Sequence, residues 1–206
     1  MPSPSDSNAV IVGINVGFNN DSLFSPAGTC HEIFFVKLED GSLDDILQGR
    51  ILLNTHFRFG YAFLPNAKPG RYAAIGYTFH SGGRHRYSYT VLFDRALVTR
   101  LTRTIAPGTV ALLGSIVVDE IFQGQEADYD DVQQHYFRKL TGKDIRTALK
   151  ERRGLFFQTG TLEGMPGRLK QEYPLDSTSR QFLNILLQDL PTAWKPWFDN
   201  SGGPRP

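Results

Sequence analysis

From Val10 to Phe18 the residues Val10, Val12, Ile14, Val16 and Phe18 alternate with Ile11, Gly13, Asn15 and Gly17. This period of two predicts a strand half-buried on one face. Glu32-Ile33-Phe34-Phe35-Val36-Lys37-Leu38 is apolar on both faces and reads as a second strand, closed by a turn at Glu39-Asp40-Gly41-Ser42. Ile51 to Asn54, Phe57 to Leu64 and Tyr72 to Phe79 are further strands. Ser81-Gly82-Gly83 makes a hairpin loop into a strand with Tyr87, Tyr89, Val91 and Phe93 on one face. Leu97, Leu101 and Ile105 alternate loosely with Arg100, Thr102 and Thr104, and Thr109 to Phe122 is a long apolar run suited to a central strand.

Two Pro-Gly pairs punctuate this half, at Pro69-Gly70 and Pro107-Gly108. Pro presets φ for the first central position of a turn, and Gly accepts the positive φ of the second. Short strands separated by such turns predict an antiparallel β-sandwich over about residues 8–122, with a barrel as the second choice.

Past Gln123 the period shifts towards 3.6. Asp128 or Asp130 can cap a helix with Val132, Tyr136, Phe137 and Leu140 on its apolar face, ended by Gly142. Lys143 to Arg153 offers a second helix, and Thr159 to Gly167 reads as loop. Asp176 or Ser177 can cap a third helix carrying Phe182, Ile185, Leu186 and Leu190. Residues 123–200 are therefore expected as a helical extension, with flexible ends at 1–7 and 201–206.

The chain has 206 residues, enough for a proper core, and its 40% hydrophobic content is ordinary for a globular protein. Lys and Arg number 22 against 21 Asp and Glu, a net charge of +1 that makes no electrostatic case for nucleic acid. Cys30 is the single cysteine, so no internal disulfide forms. No segment reaches the ~20 apolar residues of a membrane-spanning helix. Met1 to Asn8 lacks the basic and apolar regions of a signal peptide, and its Ser/Pro-rich start looks like a mature chain whose export signal was removed.

Candidate chemistry is sparse. Thr141-Gly142-Lys143-Asp144 has the Gly-Lys of a phosphate loop but neither its upstream Gly nor its hydroxyl. The histidines His31, His56, His80, His85 and His135 are scattered, and no metal or cofactor is expected from them. Ser115 follows Gly114 but sits inside a strand rather than on a nucleophile elbow. Asp44-Asp45, Asp119-Glu120 and Asp130-Asp131 read as solvated or capping charges. A hydrolase or metal-dependent enzyme would have to assemble its site in three dimensions, from His56, His80, His85 or Asp119. Arg84-His85-Arg86 is too short for a nucleic-acid footprint. Trp194 and Trp197, three apart and followed by Phe198, form a sugar or partner platform if exposed, or a clamp if buried.

The turn pattern carries a family resemblance. Glu39-Asp40-Gly41, then Leu64-Pro65-Asn66-Ala67-Lys68-Pro69-Gly70-Arg71-Tyr72, then Ala106-Pro107-Gly108 through Leu113-Gly114-Ser115-Ile116, is similar to transthyretin-like or carboxypeptidase-regulatory-like β-sandwich domains of bacterial envelope lipoproteins, over about residues 30–122. The resemblance implies a non-enzymatic structural or protein-binding role in the cell envelope, periplasmic or at the outer membrane. It brings no catalytic residue and no cofactor. Membrane association would come only through a lipid anchor that this chain does not carry, and the alternative location is cytoplasmic. The expected partner or ligand surface comprises Trp194, Trp197, Phe198, Arg84 and His85, and the alternative roles are the hydrolase above and a carbohydrate-binding module. Truncation after residue 122 is expected to leave a folded sandwich.

Overall fold

A computed structural model of the chain describes residues 4, 7–18, 29–38, 43–80, 88–120, 129–145, 163–190 and 194–200. Among the described residues ten strands form one sheet: β1 (Val10–Phe18), β2 (Thr29–Leu38), β3 (Arg50–Leu53), β4 (His56–Arg58), β5 (Tyr61–Ala67), β6 (Gly70–His80), β7 (Ser88–Phe93), β8 (Arg103–Ile105), β9 (Val110–Glu120) and β10 (Glu163–Glu172). Four α-helices are described beside them: α1 (Arg95–Arg100), α2 (Asp131–Thr141), α3 (Leu175–Asp189) and α4 (Lys195–Asn200). A 3₁₀ turn spans Leu43–Gln48.

The strand order is β3-β2-β6-β7-β10-β9-β1-β5-β4, with β8 paired to β6. β3 and β4 thus stand at opposite ends of the sheet, yet only Asn54 and Thr55 separate them in sequence. The sheet must curl until its ends meet. Asn54 seals the join: its N–H donates to the Ile33 carbonyl (3.2 Å) and its Oδ1 accepts from the Ile33 N–H (2.7 Å). One residue later the Thr55 N–H turns to the Phe63 carbonyl of β5. A single kinked strand therefore leaves β2 for β5.

This mainly β architecture with C-terminal helices corrects the sequence expectation in three respects. The sheet is curled and single, and a sandwich is not shown. It is mixed, because β1 runs parallel to β9 and β10 parallel to β7, while the other pairs are antiparallel. Side chains alternate with period two in either direction, so the sequence pattern carries no record of strand polarity. Finally, residues 123–200 are not purely a helical extension. Their β10 lies between β7 and β9, inside the sheet.

The loop expected over Thr159 to Gly167 likewise gives way to strand from Glu163 onwards. Pro166 is tolerated there because the first half of β10 pairs with β7 alone. The β9 pairing begins only at Gly167. Proline removes a ladder donor and needs such an edge-like position. Leu97, Leu101 and Ile105 also divide differently from the expected strand. Asp94 caps α1 by accepting the Leu97 N–H (2.7 Å), and only Arg103–Ile105 is extended. Spacings of four fit a helix as well as they fit a strand of even period.

Other expectations match. Asp130 caps α2 in a reciprocal capping box with Gln133, and Gly142 ends the helix at φ 71°. Pro196 reads against a regular helix, yet α4 forms, since the first amides of a helix have no partner in any case. The expected Asp176 or Ser177 cap of α3 is two or three residues late, because the helix begins at Leu175 after Pro174 without a side-chain cap. The Ser81-Gly82-Gly83 loop, most of the Lys143–Arg153 helix and the 201–206 tail lie outside the described residues.

Two apolar clusters flank the strands. The larger gathers the even positions of β1 with β2, β6, β7, β9, α1 and α2. The smaller comprises Ile11, Tyr61, Phe63, Leu112, Phe182, Ile185, Leu186, Leu190, Trp194 and Trp197. β1 is therefore covered on both faces in its first half, not half-buried. Gly13 on the second face leaves room for the Phe182 ring: a Cβ there would lie 2.3 Å from it.

Candidate functional site

The N-terminal ends of α1 and α2 meet the middle of β10 at an open cleft of about 530 Å³. Asp94, Arg95, Asp130, Asp131, Gln133 and Arg168 supply its polar groups. Each acidic group there has a structural task. Asp94 caps α1, as above. Asp130 caps α2 through Oδ1, which accepts the Gln133 N–H (2.9 Å), and ties α1 to it through Oδ2, which accepts the Arg95 N–H (2.5 Å). Asp131 receives the Arg95 guanidinium on both oxygens. That side-chain hydrogen bonding holds its carboxyl below the usual carboxylate range. Gln133 is buried and donates to the Leu92 carbonyl of β7 (3.0 Å). The arrangement is a latch between two helices and the sheet.

Of the five residues expected to form a partner or ligand surface, the three that are described, Trp194, Trp197 and Phe198, pack into the smaller apolar cluster. Trp194 is fully buried, Trp197 is 5% exposed, and Phe198 packs partly buried against the same cluster. The indoles meet edge to face, with centroids 5.3 Å apart. The Trp197 ring meets Phe198 in the same manner. These rings fasten α4 beside α3 onto β1, β5 and β9, so the clamp replaces the surface. Their spacing was legible in the sequence, but not which side of the helix would face the sheet. Arg84 and His85 lie outside the described residues.

Of the residues considered for a three-dimensional hydrolase site, the two whose side chains are described, His56 and Asp119, are not brought together. His56 on β4 stacks on Phe63 (5.3 Å between centroids), and Thr55 Oγ1 lies 2.8 Å from its Nδ1. Burial lowers its pKa. Asp119 on β9, separated from β4 by β1 and β5, pairs with Lys170 (3.4 Å). The side chain of His80 and all of His85 lie outside the described residues. Among the described residues no cluster of His, Cys, Asp or Glu is arranged to hold a metal ion. No described helix is long and apolar enough to cross a membrane.

A feature that the sequence reading missed lies at the opposite edge. Phe57 to Leu64 is not one strand but a tight hairpin, β4 to β5, turning at Phe59-Gly60 with Arg58 opposite Tyr61. Both turn residues have positive φ, 48° and 82°, the signature of a two-residue I′ turn. Phe59 is 66% exposed, the most exposed of the large apolar side chains described, and Phe57 is 39% exposed. The Arg58 guanidinium lies over the Phe59 ring, 4.7 Å from its centroid, and its Nε is 3.1 Å from Asp189 at the end of α3. Gly60 ahead of Tyr61 was the available signal.

No protein-family model matches the chain, and no curated protein or solved structure is similar to it.

Proposed function

We propose that this chain is a non-enzymatic protein of the bacterial cell envelope with a structural or protein-binding role. The observation that carries the non-catalytic part is the latch. Its three carboxylates, the groups best suited by position to acid–base work, are committed to helix caps and to Arg95. The curled sheet is filled by Val, Ile, Leu, Phe and Tyr side chains from neighbouring strands, as a rigid scaffold requires. The envelope location rests on the Pro-Gly turn pattern and its resemblance to envelope lipoprotein domains.

The test is a photo-cross-linking residue at exposed position 57 of the full chain, expressed in the source cells. One saturable adduct with an envelope protein is the expected result. Adducts only with cytosolic proteins overturn the location. Hydrolysis of an ester or phosphate substrate panel by purified protein, abolished by Asp130→Asn or Asp131→Asn with the fold retained, overturns the non-catalytic role.

A further inference from the structure

We propose that the β4–β5 hairpin is a preorganised anchor whose Phe59 ring seats in an apolar pocket of a partner protein; this rests on the protein-binding reading above. The first turn position of an I′ hairpin favours Asn, Asp or Gly, and a bulky residue at positive φ is an outlier. Phe59 occupies that position at φ 48° and yet is 66% exposed, so the ring contributes little to the core. The fold alone would be served better by Asn. What the position does achieve is presentation. Asp189 holds Arg58, and Arg58 covers one face of the ring, leaving the other face open on a short turn between paired strands. A braced aromatic of this kind loses little conformational entropy on docking, which is how interface anchors act.

The same contacts favour a protein pocket over a lipid surface. Insertion among lipids relies on broad apolar area together with cations free to meet headgroups. Here the Arg58 charge is paired with Asp189, and the whole chain carries only +1.

The experiment takes the protein cross-linked at position 57, identifies it, and titrates it in purified form against wild type, Phe59→Asn and the exposed control Leu169→Asn. Phe59→Asn should bind about thirtyfold more weakly or worse, melt no lower than wild type, and differ from Leu169→Asn, which should bind as wild type. Equal binding by Phe59→Asn overturns the anchor while leaving the protein-binding reading in place. No saturable protein adduct overturns both. A melting temperature several degrees lower for Phe59→Asn makes the ring structural and overturns the anchor. So does equal weakening by Leu169→Asn. Phe59-dependent sedimentation with phosphatidylglycerol–phosphatidylethanolamine vesicles, or self-adducts with Phe59-dependent mass growth in light scattering, overturns it in favour of membrane or of a second copy.

Discussion

The two apolar clusters that flank the sheet are built on different principles. The larger is aliphatic-rich: Val10, Val12, Ile14, Val16, Ile33, Val36, Val91 and Val118 meet across curled strands, with Phe and Tyr between them. The smaller is half aromatic, with Tyr61, Phe63, Phe182, Trp194 and Trp197 among its ten members. Strands that curl onto one another are close enough for branched aliphatics to interdigitate. Under α3 and α4 large rings fill the space between helix and sheet, each burying about 150–250 Å². The ring stack runs from Tyr61 to Phe182 at 5.3 Å and from Phe182 to Phe63 at 5.7 Å, then reaches the Trp194–Trp197 pair through the same cluster. One cluster joins the sheet to α1 and α2, and the other joins it to α3 and α4.

The sharpest way to break that distinction is to remove the tail. Truncation after residue 122 takes away α2, α3 and α4, but also β10 from between β7 and β9. The expected outcome is loss of any cooperative unfolding transition by circular dichroism, in contrast to the folded sandwich that the sequence pattern implied. A cooperative transition in the truncated chain would show that the sheet stands alone. The next effect in size is Trp194→Ala, which empties the centre of the smaller cluster and should cost about 3–5 kcal/mol in denaturant titrations. Gly13→Ala should cost about 1–3 kcal/mol by pressing a Cβ into the Phe182 ring. Phe182→Leu in the same chain should recover part of that loss, and strict additivity would mean that the two do not touch.

On the side of the larger cluster, Asp130→Ala removes the cap of α2 and the tie to the Arg95 amide. A loss of about 1–2 kcal/mol is expected. The smallest effect is the pH response. His56 and His135 are both held below the ordinary histidine value of 6.5, chiefly by burial. Nε2 of His135 is buried without a hydrogen-bond partner among the described residues, and Lys139 and Arg138 oppose its protonation further. The unfolded chain takes up these protons first as pH falls. The stabilisation is therefore full above about 6.5 and declines below it, until the folded-state values are passed. Melting temperature should drop modestly from pH 7.5 to pH 5.5, and His135→Gln should flatten that slope.

Legibility in the sequence followed the range of the interaction. β1, β3 and β9 were readable nearly to the residue, because alternation and turn chemistry are local. So was α2, whose cap at Asp130 and stop at Gly142 lie within its own few residues. The second Pro-Gly turn was readable as a turn, but not its consequence. The Gly108 N–H reaches the Asn8 carbonyl, and the Ile11 N–H reaches the Thr109 carbonyl, which starts the parallel β1–β9 pair. The latch at Asp94, Arg95 and Asp130 joins positions 35 apart through a backbone amide, and no side-chain pattern announces such a bond. The Phe59-Gly60 turn was hidden because Phe at a turn position reads as strand.

The sequence by itself determined much of the content of the elements: the extension of β1, β3 and β9, the start and stop of α2, and which side chains are apolar enough to be buried. Those properties follow from covalent geometry and from hydrophobic periodicity within a few residues. Tertiary structure alone decided strand polarity, the entry of β10 between β7 and β9, the join of the two sheet ends at Asn54, and the face on which the tryptophans lie. These depend on pairing between segments far apart in the chain. The interchangeable amides and carbonyls of the backbone carry that pairing, and they are the same at every position.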